Sequence, residues 1–138
     1  MLALEVAGTF ITLPGDTHFG LHMTRGQSSG DLMIGTFETL IHKSENPQEA
    51  ASRLITDLTD TEYLAVAYWG SFAVAAVNEE DTPCKTIYAF SAGLRPDELN
   101  VNVGATLIVS QDINLAALPL TPGTQRILEA YRRRGQKK

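Results

Sequence analysis

The stretch Asn46-Pro47-Gln48-Glu49-Ala50-Ala51-Ser52-Arg53-Leu54-Ile55-Thr56-Asp57-Leu58-Thr59 decides how the rest of the chain is read. Asn46 can cap a helix, Pro47 suits the first helical position, where no N–H is needed, and Glu49 stands three residues after the cap as its reciprocal partner. Ala50, Ala51, Leu54, Ile55 and Leu58 then recur at helical spacing, so one stripe faces a core through to Thr59. A helix with a single apolar stripe needs a layer to bury it against, and the sequence on both sides reads as strand.

Upstream, Leu2, Leu4, Val6 and Phe10 alternate with Ala3, Glu5, Ala7 and Thr9, a period of two. Leu13-Pro14-Gly15-Asp16 turns the chain. A second strand follows, with Phe19, Leu21 and Met23 on one face and His22 and Thr24 on the other, and Gly26–Gly30 is its hairpin tip. Between Asp31 and Lys43, Gly35 and the β-branched Ile34, Thr36, Thr39 and Ile41 favour a third strand over a helix.

Downstream, Tyr63 to Trp69 and Phe72 to Val77 are apolar on both faces and read as central strands joined by a Gly70-Ser71 hairpin turn. The acidic turn Asn78 to Pro83 leads into another strand from Lys85 to Ser91, and Val101, Val103, Ala105, Leu107 and Val109 alternate along a last one. Thr121 then caps, and Pro122 opens, a terminal helix with a short stripe of Ile127, Leu128 and Tyr131. The expected architecture is one α+β domain over residues 1–134, a largely antiparallel sheet in the order βββ-α-ββββ-α with both helices on one face, and a flexible basic end at 135–138. A doubly wound dinucleotide fold is disfavoured, because βαβ spacing and a Gly-rich phosphate loop are both missing.

The 138 residues are 43% hydrophobic, enough for one sizeable core, and carry a formal charge of -5. That charge is unevenly placed. Arg126, Arg132, Arg133, Arg134, Lys137 and Lys138 face only Glu129 after residue 125, a local +5, which leaves the preceding 125 residues at -10. A globally basic nucleic-acid binder is excluded, yet the tail itself is a candidate contact for an acidic protein, nucleic acid or a second copy of the chain. The single cysteine, Cys84, rules out an intramolecular disulfide and favours the reducing cytoplasm. The longest uncharged run, Tyr63 to Asn78, is shorter than the ~20 apolar residues a membrane helix needs, so no membrane contact is expected.

Candidate chemistry is sparse. His22-Met23-Thr24 and His42-Lys43-Ser44 each set a histidine and a hydroxyl on one strand face, and these H-x-[ST] strings resemble the pairs of two-histidine phosphoesterases. The resemblance covers six residues and implies a hydrolase in which His22 and His42 trade protons, with Thr24 and Ser44 beside them. Arg25, with Ser28 and Ser29 of the adjacent Gly26–Gly30 loop, forms a candidate small-anion site. His18 and His22 on a strand stand about 13 Å apart at ~3.3 Å per residue, so no metal ligand set is read, and no cofactor motif is present. The leading expectation is therefore a non-enzymatic, homo-oligomeric binding module using Arg126, Arg132, Arg133, Arg134, Lys137 and Lys138 as an electrostatic contact. The phosphoesterase and the anion binder are the alternatives.

Overall fold

The computed structural model describes residues 4–25, 30–59, 65–74, 85–95, 105–121 and 123–136. Strand β1 (Leu4–Thr12) shows alternation, but every residue from Val6 to Ile11 is buried. Both faces of the strand are covered. Val6 and Phe10 pack in one cluster with Ile127 and Leu128 of the terminal helix α2 (Thr124–Gln136). Ala7 packs with Ala50 and Ala51, and Ile11 with Ile55 and Leu58, all from α1 (Pro47–Thr59). The two helices thus lie on opposite faces of the sheet, which corrects the expectation of a single covered face. The residues turned to α1 include the small Ala7 and the polar Thr9, which left that side of the strand looking unremarkable.

The remaining strands are β2 (His18–Arg25), β3 (Leu32–Gly35), β4 (Phe37–Leu40), β5 (Ala67–Val74), β6 (Lys85–Gly93) and β7 (Ala105–Ser110). With β1 they form, among the described residues, one mixed sheet of seven strands in a single α+β domain. β1 and β6 run parallel from Leu4↔Lys85 to Thr12↔Gly93, and the other strand pairs among the described residues are antiparallel, so the sheet is mostly antiparallel as expected.

The element order is ββββ-α-βββ-α, which differs from the expected one at two points. The segment from Asp31 to Lys43 divides at Thr36, because its halves pair with different strands. Gly70-Ser71 is not a hairpin turn: β5 runs through it with a bulge between Tyr68 and Gly70, whose φ of 119° the glycine allows. The strand lies at the sheet edge rather than its centre. Residues 60–64, 75–84 and 96–104, with Pro122, lie outside the described residues, and with them Cys84 and the acidic turn.

The caps follow the sequence at α1. The Asn46 amide donates to Glu49 Oε1 at 2.9 Å, and the Glu49 amide donates to Asn46 Oδ1 at 2.8 Å. At α2 the helix starts at Thr124, whose amide donates to the Thr121 carbonyl at 3.1 Å. Among the described residues no helix is long and apolar enough to cross a membrane.

Among the described residues one buried side-chain group is left unpaired. Thr9 Oγ1, fully buried, has no hydrogen-bond partner, and an unmet hydroxyl costs about 1–3 kcal/mol. Thr9→Val keeps the shape and removes the hydroxyl, so it is expected to stabilise the fold by about 1 kcal/mol, or roughly 3–5 °C in Tm for a chain of this size. Thermal denaturation followed by circular dichroism checks this, and a lowered Tm would show that the hydroxyl is needed.

Candidate functional site

β1 and β2 pair only beside their shared turn, at Ile11↔Gly20 and Thr12↔Phe19. Farther on they part, and the next two strands fill the fork. β3 follows β2 from Arg25↔Leu32 to His22↔Gly35, the chain bends at Thr36, and β4 returns along β1 from Thr9↔Phe37 to Val6↔Leu40. The backbone donors and acceptors exposed by the fork are met in this way.

A pocket of about 270 Å³ opens at this bend, lined by His22 and Thr24 of β2, Gly35, Thr36 and Glu38 of the bend, Lys85 of β6, and Thr121. Lys85 Nζ donates to Glu38 Oε1 at 2.8 Å, and Thr36 Oγ1 donates to Glu38 Oε2 at 3.5 Å. The His22 ring stacks on Phe37 with centroids 4.9 Å apart. Burial pushes the His22 pKa below its ordinary 6.5, against the opposing pull of the Glu38 charge. The imidazole is therefore predominantly neutral at pH 7. Gly35 matters because a Cβ there would run into Thr121 Oγ1. The approach is fixed by backbone bonds, from the Thr121 amide to the Ile34 carbonyl at 2.8 Å and from the Ile34 amide to the Pro119 carbonyl at 2.9 Å. A neutral imidazole, a carboxylate, an ammonium and three hydroxyls share this pocket, a set able to hold a phosphate and accept a proton.

Of the residues singled out in the sequence, His22 and Thr24 meet here. His42 and Ser44 do not: they follow the far end of β4, whose length of roughly 10 Å at ~3.3 Å per residue intervenes. The structure does not assemble a two-histidine pair. His42 belongs instead to the network that seats α1. Its amide donates to Glu45 Oε1 at 3.0 Å, while Arg53 grips both Glu45 oxygens at 2.8 and 3.0 Å and reaches the Leu40 carbonyl at 2.9 Å.

The loop candidates Ser28 and Ser29 lie outside the described residues, as do Lys137 and Lys138; β2 ends at Arg25. In α2, Arg126 donates to the Ala73 carbonyl at 2.8 Å and Arg132 donates to the carbonyls of Gln111 and Ile113, whereas Arg133 and Arg134 are exposed. Glu38, Lys85, Thr36 and Thr121 escaped the sequence reading because they come from three separate segments. The one local signal was an acid, Glu38, set between the apolar Phe37 and Leu40. Among the described residues no three His, Cys, Asp or Glu side chains gather closely enough to hold a metal ion.

No family model and no curated protein sequence matches the chain. The fold is similar to that of the Nudix hydrolases. A mutT/nudix family protein from Listeria innocua superposes with a TM-score of 0.75 over 99% of this chain and 96% of that one, at 13% identity. A MutT NUDIX hydrolase from Burkholderia pseudomallei gives 0.67 over 94% and 98%, at 16% identity. The NUDIX domain of Shewanella oneidensis NrtR, solved with ADP ribose, gives 0.67 over 97% and 89%, at 11% identity.

These likenesses correct the expectation of a non-enzymatic, protein-binding homo-oligomer, since solved structures that share the fold along nearly their whole length are named as hydrolases. The physical basis of that expectation also weakens, because Arg126 and Arg132 of the basic helix are engaged within the molecule.

The α1 anchor has a pH signature. The Arg53 side chain, followed by the His42 amide, holds the Glu45 carboxyl down at about 2 from its usual 4.5. Its stabilising contribution is thus complete above about pH 5 and is lost as pH falls through 2. Glu45→Gln is expected to melt at a lower temperature than the wild type at pH 6, with the gap closing by pH 2. A gap independent of pH would refute this assignment.

Proposed function

We propose that the protein is a hydrolase of phosphorylated small molecules, with the reacting phosphate held in the fork pocket. The observation that carries the proposal is that His22 shares one pocket with Lys85 and Glu38, within a fold similar to that of known hydrolases. ADP ribose, bound by the NrtR domain, supplies a substrate class: a nucleoside diphosphate compound with a phosphoanhydride bond. The cytoplasm, favoured by the single Cys84, is the setting within the same proposal.

Each side chain has a role. The Lys85 ammonium offsets charge on the phosphate oxygens, and Glu38 fixes the ammonium in place. Thr24 and Thr121 offer hydroxyls from the pocket wall, while the Thr36 hydroxyl donates to Glu38. His22 accepts the proton of a water molecule as its oxygen bonds to phosphorus; the phosphorus–oxygen bond to the leaving group breaks, and the departing oxygen keeps the electron pair. Reactions of this class are often assisted by a divalent cation. The donor set of the described residues does not fit one, so the charge in the pocket is carried by Lys85.

The test is hydrolysis of ADP ribose and of a model phosphodiester. His22→Asn is expected to lower kcat about 100-fold or more, and Lys85→Met to raise KM and lower kcat, while His42→Asn leaves both unchanged. Wild-type activity should also decline in acid, as pH falls through the lowered His22 pKa and the imidazole takes up a proton. Full activity in His22→Asn, or a wild type inert towards both substrates, would overturn the proposal.

A further inference from the structure

The last turns of α2 pass over β5, and between them lies a cleft of about 420 Å³ lined by Trp69, Phe72, Ala130, Arg133 and Arg134. It shares no lining residue with the fork pocket. In the sequence, Tyr131 was the sole aromatic beside the tail cations; the fold adds two more from a strand more than fifty residues away.

The rings are held in place. Trp69 Nε1 donates to Ser91 Oγ at 2.8 Å, and the indole meets the Tyr131 ring edge to face at 4.8 Å. A guanidinium lies over each cleft aromatic: Arg134 at 5.2 Å from the Trp69 centroid and Arg126 at 5.5 Å from that of Phe72. Among the described residues no carboxylate forms a salt bridge with Arg126, Arg133 or Arg134.

A guanidinium placed over an indole is a planar cation that sets N–H donors beside an aromatic ring. Nucleobases stack on such planes, and the N–H edges match phosphate oxygens. The cleft is also far larger than an isolated phosphate requires. We propose that it binds a ligand made of a base and a phosphate, the base against the Trp69–Arg134 pair and the phosphate on Arg133. A free nucleotide and a single-stranded nucleic acid both present this chemistry, and single-strand platforms combine the same aromatic and cationic groups.

Trp69 is the sole tryptophan of the chain, so its fluorescence reports on the cleft directly. The full chain is titrated with AMP, octathymidylate and inorganic phosphate. Saturable quenching is expected from at least one base-bearing probe, with an affinity tenfold or more above that for inorganic phosphate. Response to AMP identifies a free nucleotide, whereas response to octathymidylate alone, falling steeply with salt, identifies a strand. The double variant Arg133→Ala/Arg134→Ala should weaken binding at least tenfold. Arg134→Lys, which keeps the charge and loses the plane, should weaken the base-bearing probe more than inorganic phosphate. Lys85→Met should leave the quenching intact, so failure of the fork pocket and failure of this cleft are read separately. Absence of saturable quenching by both base-bearing probes, equal affinity for inorganic phosphate, or indifference to the arginine substitutions would overturn the proposal.

Discussion

One strand edge has to serve two partners. On the side away from β6, β1 gives Ile11 and Thr12 to β2, and its backbone from Val6 to Thr9 would stand unpaired if β4 did not occupy it. Buried peptide groups left without partners cost too much to persist. The chain therefore runs down β2, bends at Thr36 and returns along β1. Everything in the fork pocket follows from that bend: Gly35 meets Thr121, Thr36 and Glu38 turn towards Lys85, and Phe37 slides beneath His22.

The second determinant is the seating of α2. Tyr131 packs edge to face against Phe10, Phe19 and Trp69 with centroids 5.3, 5.5 and 4.8 Å away, contacts that add to the burial of the rings themselves. Its hydroxyl donates to Asp16 in the turn joining β1 and β2. Burial first, and the Asp16 carboxylate second, push the phenol up to about 12, so it stays protonated and keeps donating. This single residue ties the helix to the sheet and to the turn where the fork begins. It also fixes the helix position on which both the Thr121 corner and the Arg133–Arg134 cleft depend.

The sequence was most legible where the signal was local. The reciprocal Asn46 and Glu49 cap and the stripe of α1 need only thirteen neighbouring residues, and the alternation of His22 and Thr24 put them on one face, where the pocket finds them. What stayed hidden was set by long-range pairing. Glu38 and Lys85 lie 47 residues apart in sequence, and no local pattern announces their ion pair. Gly70-Ser71 misled because a type II′ turn and a bulge both ask for a residue at positive φ. The uneven charge was read correctly as arithmetic, but its use is partly internal: Arg126 and Arg132 are bonded to backbone carbonyls.

In the proposed reaction the fork at β1, and not a pair of distant histidines, holds the phosphate. Nuclear magnetic resonance of the full chain during addition of ADP ribose tests it most directly. Saturable shifts are expected of the His22 imidazole, the Thr36 amide and the Lys85 ammonium, with the His42 imidazole unmoved. Shifts at His42 that match those at His22, or a fork that does not respond at saturating ligand, would contradict it.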